Sequence, residues 1–124
     1  MRVDSALTHS GFSRGPRNAA HTVVVFTDSF CPSCRELRET LHKLVQQRTD
    51  VRVVEHLLSH VTAEPRAWEA AVASVCVAGI DTGWRFRDAL ARDIVRTRTR
   101  AWHAIATEAG FIWTDAMDRC IEGP

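Results

Sequence analysis

Two short, unbroken apolar runs separated by an amphipathic stretch dominate the first half of the chain. Val23-Val24-Val25-Phe26 is β-branched and aromatic throughout. A run of that kind suits a strand buried on both faces of a parallel sheet. Thr27-Asp28-Ser29 ends it with side chains that favour turns and helix caps. Beyond it, Cys34, Leu37, Leu41 and Leu44 or Val45 recur at helical spacing, leaving Arg35, Glu36, Arg38 and Glu39 to face water. Asp50 closes the helical region. Val51-Arg52-Val53-Val54 then opens a second strand, with Leu57-Leu58 as its extension. Strand, helix and parallel strand form a βαβ unit, and such crossovers are right-handed in about 98% of cases.

Past His60 the pattern turns wholly helical. Pro65 is placed for a helix start, and Trp68, Ala71, Val72, Val75 and Cys76 make an apolar stripe up to Gly79. A second helix carries Trp84, Phe86, Ala89, Leu90 and Ile94, and a third carries Trp102, Ile105 and Ala106 before Gly110. The last begins at Thr114-Asp115, good N-cap chemistry, and buries Met117 with Ile121 or Cys120. Residues 1–20 have no period and read as a flexible N-terminal arm. The organisation expected is therefore an arm over 1–20, a βαβ unit over 21–60 and a helical segment over 61–124.

Composition narrows the function more than the fold. A chain of 124 residues, 45% hydrophobic and 25% charged, suits one domain with a real core. A net charge of +1, with no basic tract interleaved with aromatics, argues against a nucleic-acid partner. Lys43 is the only lysine, so the positive charge is nearly all arginine. No apolar run approaches the roughly 18 residues a membrane helix needs. Met1 to Pro16 lacks the apolar core of a secretion signal. The sequence as given thus reads as cytoplasmic, with an extracytoplasmic location as the alternative for a processed or clipped form.

Four cysteines are too few for a disulfide scaffold, but two are arranged for chemistry. In Cys31-Pro32-Ser33-Cys34 the first cysteine falls where a strand hands over to a helix. Unpaired backbone N–H groups and the helix dipole favour a thiolate there. Such settings bring a thiol pKa from ~8.5 to roughly 3.5–7.5. Pro32 has no N–H to leave unsatisfied in the first turn. Cys34, about one turn on, faces inward, so Cys31 is the exposed attacker and Cys34 the shielded resolving thiol. Asp28 either caps the helix or modulates the thiol. A competing reading makes the pair half of a zinc site, with His42, His56, His60 and Cys76 as candidates for the remaining two ligands. No second C-x-x-C accompanies them, and His56 and His60 read more simply as strand-end or loop residues. Cys76 and Cys120 read as small core residues, with a second disulfide between them as the sharper alternative. The four tryptophans read as packing.

From Gly15 through Ala19 to the Val-rich strand ending in Phe26, then Thr27-Asp28 and Cys31-Pro32-Ser33-Cys34, the chain resembles DsbA-like thioredoxin-fold oxidoreductases. The likeness continues through Val51–Val54, the segment from Trp68 to Cys76, Phe86-Arg87-Asp88-Ala89-Leu90 and Ala109-Gly110-Phe111 to Cys120. It implies a thioredoxin-like α/β fold with a helical insertion after His60. It also implies Cys31 as nucleophile and Cys34 as resolving cysteine. Ser33 occupies the family's variable dipeptide and supplies no cation for the thiolate, which implies a position away from the strongest oxidants. The family continues into a Thr-Pro loop and two antiparallel strands, whereas Pro16, Pro65 and Pro124 are not placed for that loop. The sheet is therefore expected to be incomplete with open edges, the chain being either a shortened family member or one whose sheet a partner chain, such as a second copy, completes.

These observations lead to a thiol–disulfide oxidoreductase acting on protein or small-molecule thiols and disulfides. Cys31 and Cys34 are its catalytic residues, and Pro32, Ser33 and Asp28 its modulators. No cofactor, metal, nucleic acid or membrane is expected. The alternatives are a non-catalytic thioredoxin-like interaction module and a zinc-binding module.

Overall fold

The computed structural model describes residues 5–28, 30–58, 65–77, 82–92, 97 and 101–123. Ser29, His60, Gly79, Ile94 and Pro124, named above, lie outside the described residues. In chain order the elements are α1 (Ser5–His9), β1 (Phe12–Arg14), β2 (His21–Thr27), α2 (Pro32–Gln47) and β3 (Val51–Leu57). There follow α3 (Pro65–Val77), α4 (Gly83–Arg92), α5 (Trp102–Glu108) and α6 (Asp115–Glu122).

The expected βαβ unit is present. β2 and β3 pair in parallel from His21 opposite Val51 to Thr27 opposite Leu57, and α2 connects them. The sheet has a third member that periodicity did not announce. β1 runs antiparallel to β3, with Phe12 opposite Glu55 and Arg14 opposite Val53, giving the order β1-β3-β2. The described part of the expected arm, residues 5–20, thus contains a helix and a strand. Three residues are too few to display an alternation, and this segment becomes a strand because β3 offers it a partner. Gly15, at φ +95°, turns the chain out of β1 through a conformation that a Cβ would penalise.

Strand order also corrects the burial expected of β2. β3, in the middle, buries Val51, Val53, Val54 and Glu55. β2 lies at an edge; Val23 to Val25 are half-buried and Phe26 is 49% exposed, its ring stacked on His56. A strand with a neighbour on one side only keeps one flank open to solvent.

The helical layer has its own core of Ala70, Ala73, Val77, Phe86, Leu90, Ile105 and Ala106. On α3 the buried face is therefore the small-residue face. Trp68 and Val75, expected in the core, are 56% and 64% exposed. Alanines at 70 and 73 leave room for the Phe86 and Leu90 side chains from α4, which a tryptophan in their place would fill. A matching reversal occurs on α2. Arg38, expected to face water, is buried, while Leu37 is 41% exposed. Its reason lies in the site described next.

α3 is fastened to α6 by a disulfide between Cys76 and Cys120, with Cα atoms 5.6 Å apart. The reading of both as free core cysteines is corrected; helical positions 44 residues apart in sequence meet only once the two helices pack.

Candidate functional site

The cysteine turn grows out of the C-terminal end of β2. Thr27, the last residue of that strand, is buried, and its carbonyl accepts the Leu58 N–H at 2.9 Å. Asp28 then turns the chain: its Oδ1 accepts the Phe30 N–H at 2.8 Å and its carbonyl accepts the Cys31 N–H at 3.4 Å. Phe30 packs against the helical core, which anchors the turn to the layer above. Cys31 follows as the N-cap of α2, with extended backbone angles (φ −98°, ψ 112°) and Pro32 in the first turn.

Here a sulfur does what a serine or aspartate oxygen does at other helix starts. The Cys31 Sγ accepts the Cys34 N–H at 3.2 Å and lies 3.4 Å from the Ser33 Oγ. Hydrogen bonds from the Cys34 thiol, then from Ser33 and from the Cys34 backbone, lower the Cys31 pKa against partial burial and the charge of Asp28. Cys34 moves the other way. Burial, then its hydrogen bond to Cys31, raise it. Ionisation of the pair is therefore favoured at Cys31, while Cys34 is the sulfur that holds its proton longer. Neither cysteine is oxidised in this state.

Beneath the turn lies a buried ionic network drawn from five elements. Arg38 is one turn past Cys34 on α2, and its guanidinium donates to Glu55 of β3 and to Asp88 of α4, with a further bond to the Trp84 carbonyl at 3.3 Å. Arg14 of β1 reaches Asp88 at 3.0 Å and stacks on Trp84 at 4.5 Å. Thr27 of β2 donates to Glu55, and its Oγ1 accepts from Arg87 of α4 at 3.1 Å. Arg87 also faces Glu55, Nε to Oε1, at 3.9 Å. Burial alone would raise the Glu55 carboxyl, but the charges of Arg38 and Arg87 and the bonds from Arg38 and Thr27 hold it below the ordinary carboxylate range. Burial pushes the Arg87 guanidinium down to about 10 although Glu55 opposes it, so Arg87 still carries its charge at neutral pH.

The structure brings Cys31, Pro32, Ser33, Cys34 and Asp28 together, with Asp28 shaping the turn; its charge raises both thiols, while its backbone hydrogen bond acts on Cys34 in the opposite direction. The described zinc candidates have other partners. His42 bonds Arg14 at 2.7 Å, the His56 Nε2 lies 2.7 Å from the Leu7 carbonyl, and Cys76 is in its disulfide. Among the described residues no three His, Cys, Asp or Glu side chains gather as a ligand set. Sequence reasoning missed Glu55, Arg38 and Arg87. One signal was available: Glu55 interrupts an apolar strand, a position that demands a buried cation nearby.

Comparison with known proteins fits this geometry. A family model described as thioredoxin matches residues 8–123. Three solved structures of ScsC from Proteus mirabilis share the fold. Its catalytic domain superposes with a TM-score of 0.68 at 21% identity, covering 95% of this chain and 70% of that one. The compact conformation gives 0.65 at 19% identity, covering 95% and 62%. The transitional conformation gives 0.67 at 20% identity, covering 95% and 57%. Among curated proteins, the Na(+)/H(+) antiporter NhaA 3 of Salinispora tropica is 35% identical over 77 residues, 62% of this chain but 12% of the antiporter. The chain therefore spans a small fraction of that curated relative and 57–70% of these solved chains.

Proposed function

This chain belongs to the thioredoxin family, and from that premise we propose that it is a thiol–disulfide oxidoreductase in which Cys31 attacks and Cys34 resolves. The observation that carries the reading is the opposed setting of the two sulfurs. Cys31 caps α2 and accepts the Cys34 N–H at 3.2 Å, with its pKa lowered, while the Cys34 pKa is raised. A thiolate is the attacking species in exchange, and the second thiol must stay protonated until a mixed disulfide exists. In the reducing direction the Cys31 thiolate attacks a substrate disulfide, whose S–S bond breaks and releases one substrate thiolate. The Cys34 sulfur then attacks Cys31, releasing the second and leaving a Cys31–Cys34 disulfide. An oxidised pair runs the same steps backwards on a substrate dithiol. No cofactor enters these steps.

The substrate class this supports is a protein or small-molecule thiol or disulfide. A hollow of about 490 Å³ opens beside Leu57, the residue paired with Thr27, and is lined by Trp68, Val72 and Val75. Such a surface suits apolar side chains flanking a substrate cysteine. In an insulin-reduction assay, Cys31→Ser is expected to abolish turnover. Cys34→Ser is expected to accumulate mixed disulfides visible on a non-reducing gel. Full turnover by Cys31→Ser would overturn the mechanism.

A second reading, an interaction module, draws support from the edge position of β2 and the exposure of Phe26, Leu58 and Trp68. A second copy that adds a strand beside β2 would complete the sheet and cover these side chains. Light scattering across a concentration series tests this, since a monomer at every concentration would overturn it. The Cys76–Cys120 disulfide favours an oxidising compartment over the cytoplasmic reading.

A further inference from the structure

Where α2 and α4 meet, the side chains of both helices leave a polar hollow. On α2, Arg35, Arg38, Glu39 and His42 fall at i, i+3, i+4 and i+7, which puts them on one face of the helix. On α4, Asp88 and Arg92 are four residues apart and share a face in the same way. Together these side chains line a space of about 220 Å³.

Neither carboxylate in the hollow is free. The Asp88 Oδ1 accepts from Arg14 at 3.0 Å and also from Arg38, while Glu39 pairs with Arg35 at 3.5 Å. Donors, by contrast, are left over. The exposed Arg92 guanidinium has no hydrogen bond or ion pair among the described residues. His42 faces Arg14 across 2.7 Å at Nδ1; a guanidinium only donates, so Nδ1 accepts and the neutral ring carries its proton on Nε2. That Nε2–H has no partner among the described residues either. Arg38 makes the strongest case. Its terminal nitrogens donate to Glu55, Asp88 and the Trp84 carbonyl, yet its Nε–H is buried with no hydrogen-bond partner, in a side chain only 6% exposed.

A buried N–H without an acceptor is costly, and the space around Arg38 says where an acceptor fits. A second cavity that Arg38 lines, among Phe12, Val25 and Val53, offers about 10 Å³, too little for more than one water. The α2–α4 hollow is larger by far, and three guanidiniums line it against two carboxylates already engaged. That excess of positive charge selects an anion over water, and guanidinium forks match oxyanions in shape. Two of the donors are also fixed in advance. Arg38 is held by its carboxylates, and His42 by Arg14 and by its ring 5.9 Å from that of Trp84. Groups already in place lose little freedom when a ligand arrives.

We propose that the α2–α4 hollow binds a small oxyanion, a phosphate or carboxylate group held by the Arg92 guanidinium, the His42 Nε2–H and the Arg38 Nε–H. Seated there, the anion bridges α2, which carries the dithiol at its start, to α4 of the helical layer. The site stands apart from the exchange chemistry, and its test does not depend on turnover.

The experiment titrates the full chain, labelled with ¹⁵N-arginine, with inorganic phosphate and separately with acetate, at an ionic strength held constant by chloride. The Arg38 and Arg92 Nε–H resonances are expected to shift along one saturable curve, and the thermal midpoint to rise with the same ligand, since it binds the folded state. Saturation with phosphate alone identifies the ligand as a phosphate group; saturation with acetate as well identifies a carboxylate. Arg92→Gln, at an exposed position outside the buried network, is expected to weaken binding about tenfold, and Arg92→Lys by less. Shifts that rise without saturating, or that are matched at the exposed Arg48, mean an adventitious ion only and would overturn the proposal. An Arg38 resonance that stays still while that of Arg92 moves would overturn it too, because the orphaned N–H would then lie outside the site.

Discussion

Cys31 depends for its thiolate on hydrogen bonds that single substitutions can remove, and the signs can be worked out in advance. The alkylation midpoint of Cys31 in the wild-type chain is expected below the ~8.5 of an unperturbed thiol. Ser33→Ala removes a donor to the thiolate and should raise that midpoint, because the charged form accepts the bond far more strongly than the neutral thiol. Asp28→Asn should lower the midpoints of both cysteines, since the carboxylate charge disfavours each thiolate while an amide oxygen can still accept the Phe30 N–H. A profile that moves oppositely in either variant would contradict this account. At this scale the sequence was a good guide. Cys31, Pro32, Ser33, Cys34 and Asp28 lie within seven consecutive residues, and the chemistry of a strand-to-helix turn is local. Arg87 was not legible, being 53 residues beyond Cys34, with nothing near it in sequence to mark it as buried.

Between elements, the joints are ionic where the sheet meets α2 and α4, and sterically tight where α4 meets β1. Glu55→Gln leaves the Arg38 and Arg87 charges buried without their shared anion, and a loss of about 3–5 kcal/mol is expected in denaturant unfolding. The pH dependence follows from the same group. Glu55 has a lowered pKa in the folded chain, so its contribution is fully present above the ordinary carboxylate range and is lost as pH falls through the folded value. Wild-type stability should therefore fall on acidification more steeply than that of Glu55→Gln. Gly83→Ala would drive a Cβ into the Phe12 ring, and overpacking of this kind costs about 1–3 kcal/mol. The helices α2 to α6 and the strands β2 and β3 were visible as periodicity. β1 was not, and the inward turn of Arg38 ran against its helical pattern, because each is decided by a partner in another element.

Across the whole molecule, the Cys76–Cys120 disulfide ties α6 to α3 and closes a span of 44 residues. The chain-entropy estimate for such a loop is roughly 4 kcal/mol. Replacing both cysteines by alanine should lower the denaturation midpoint accordingly, while the Cys31 alkylation profile stays unchanged because the bond lies outside the cysteine turn. A shifted profile would mean that the helical layer controls the thiolate through Phe30, which packs into it. By itself the sequence determined what depends on neighbours along the chain: the βαβ unit, the helical second half and the dithiol at a helix start. Hydrophobic periodicity and cap chemistry are short-range and survive without knowledge of the fold. Only the tertiary structure decided the third strand, the edge position of β2 and the disulfide. The buried ionic network around Glu55 belongs with them. Each depends on groups far apart in sequence being desolvated together, and burial of a charge is a property of the packed whole.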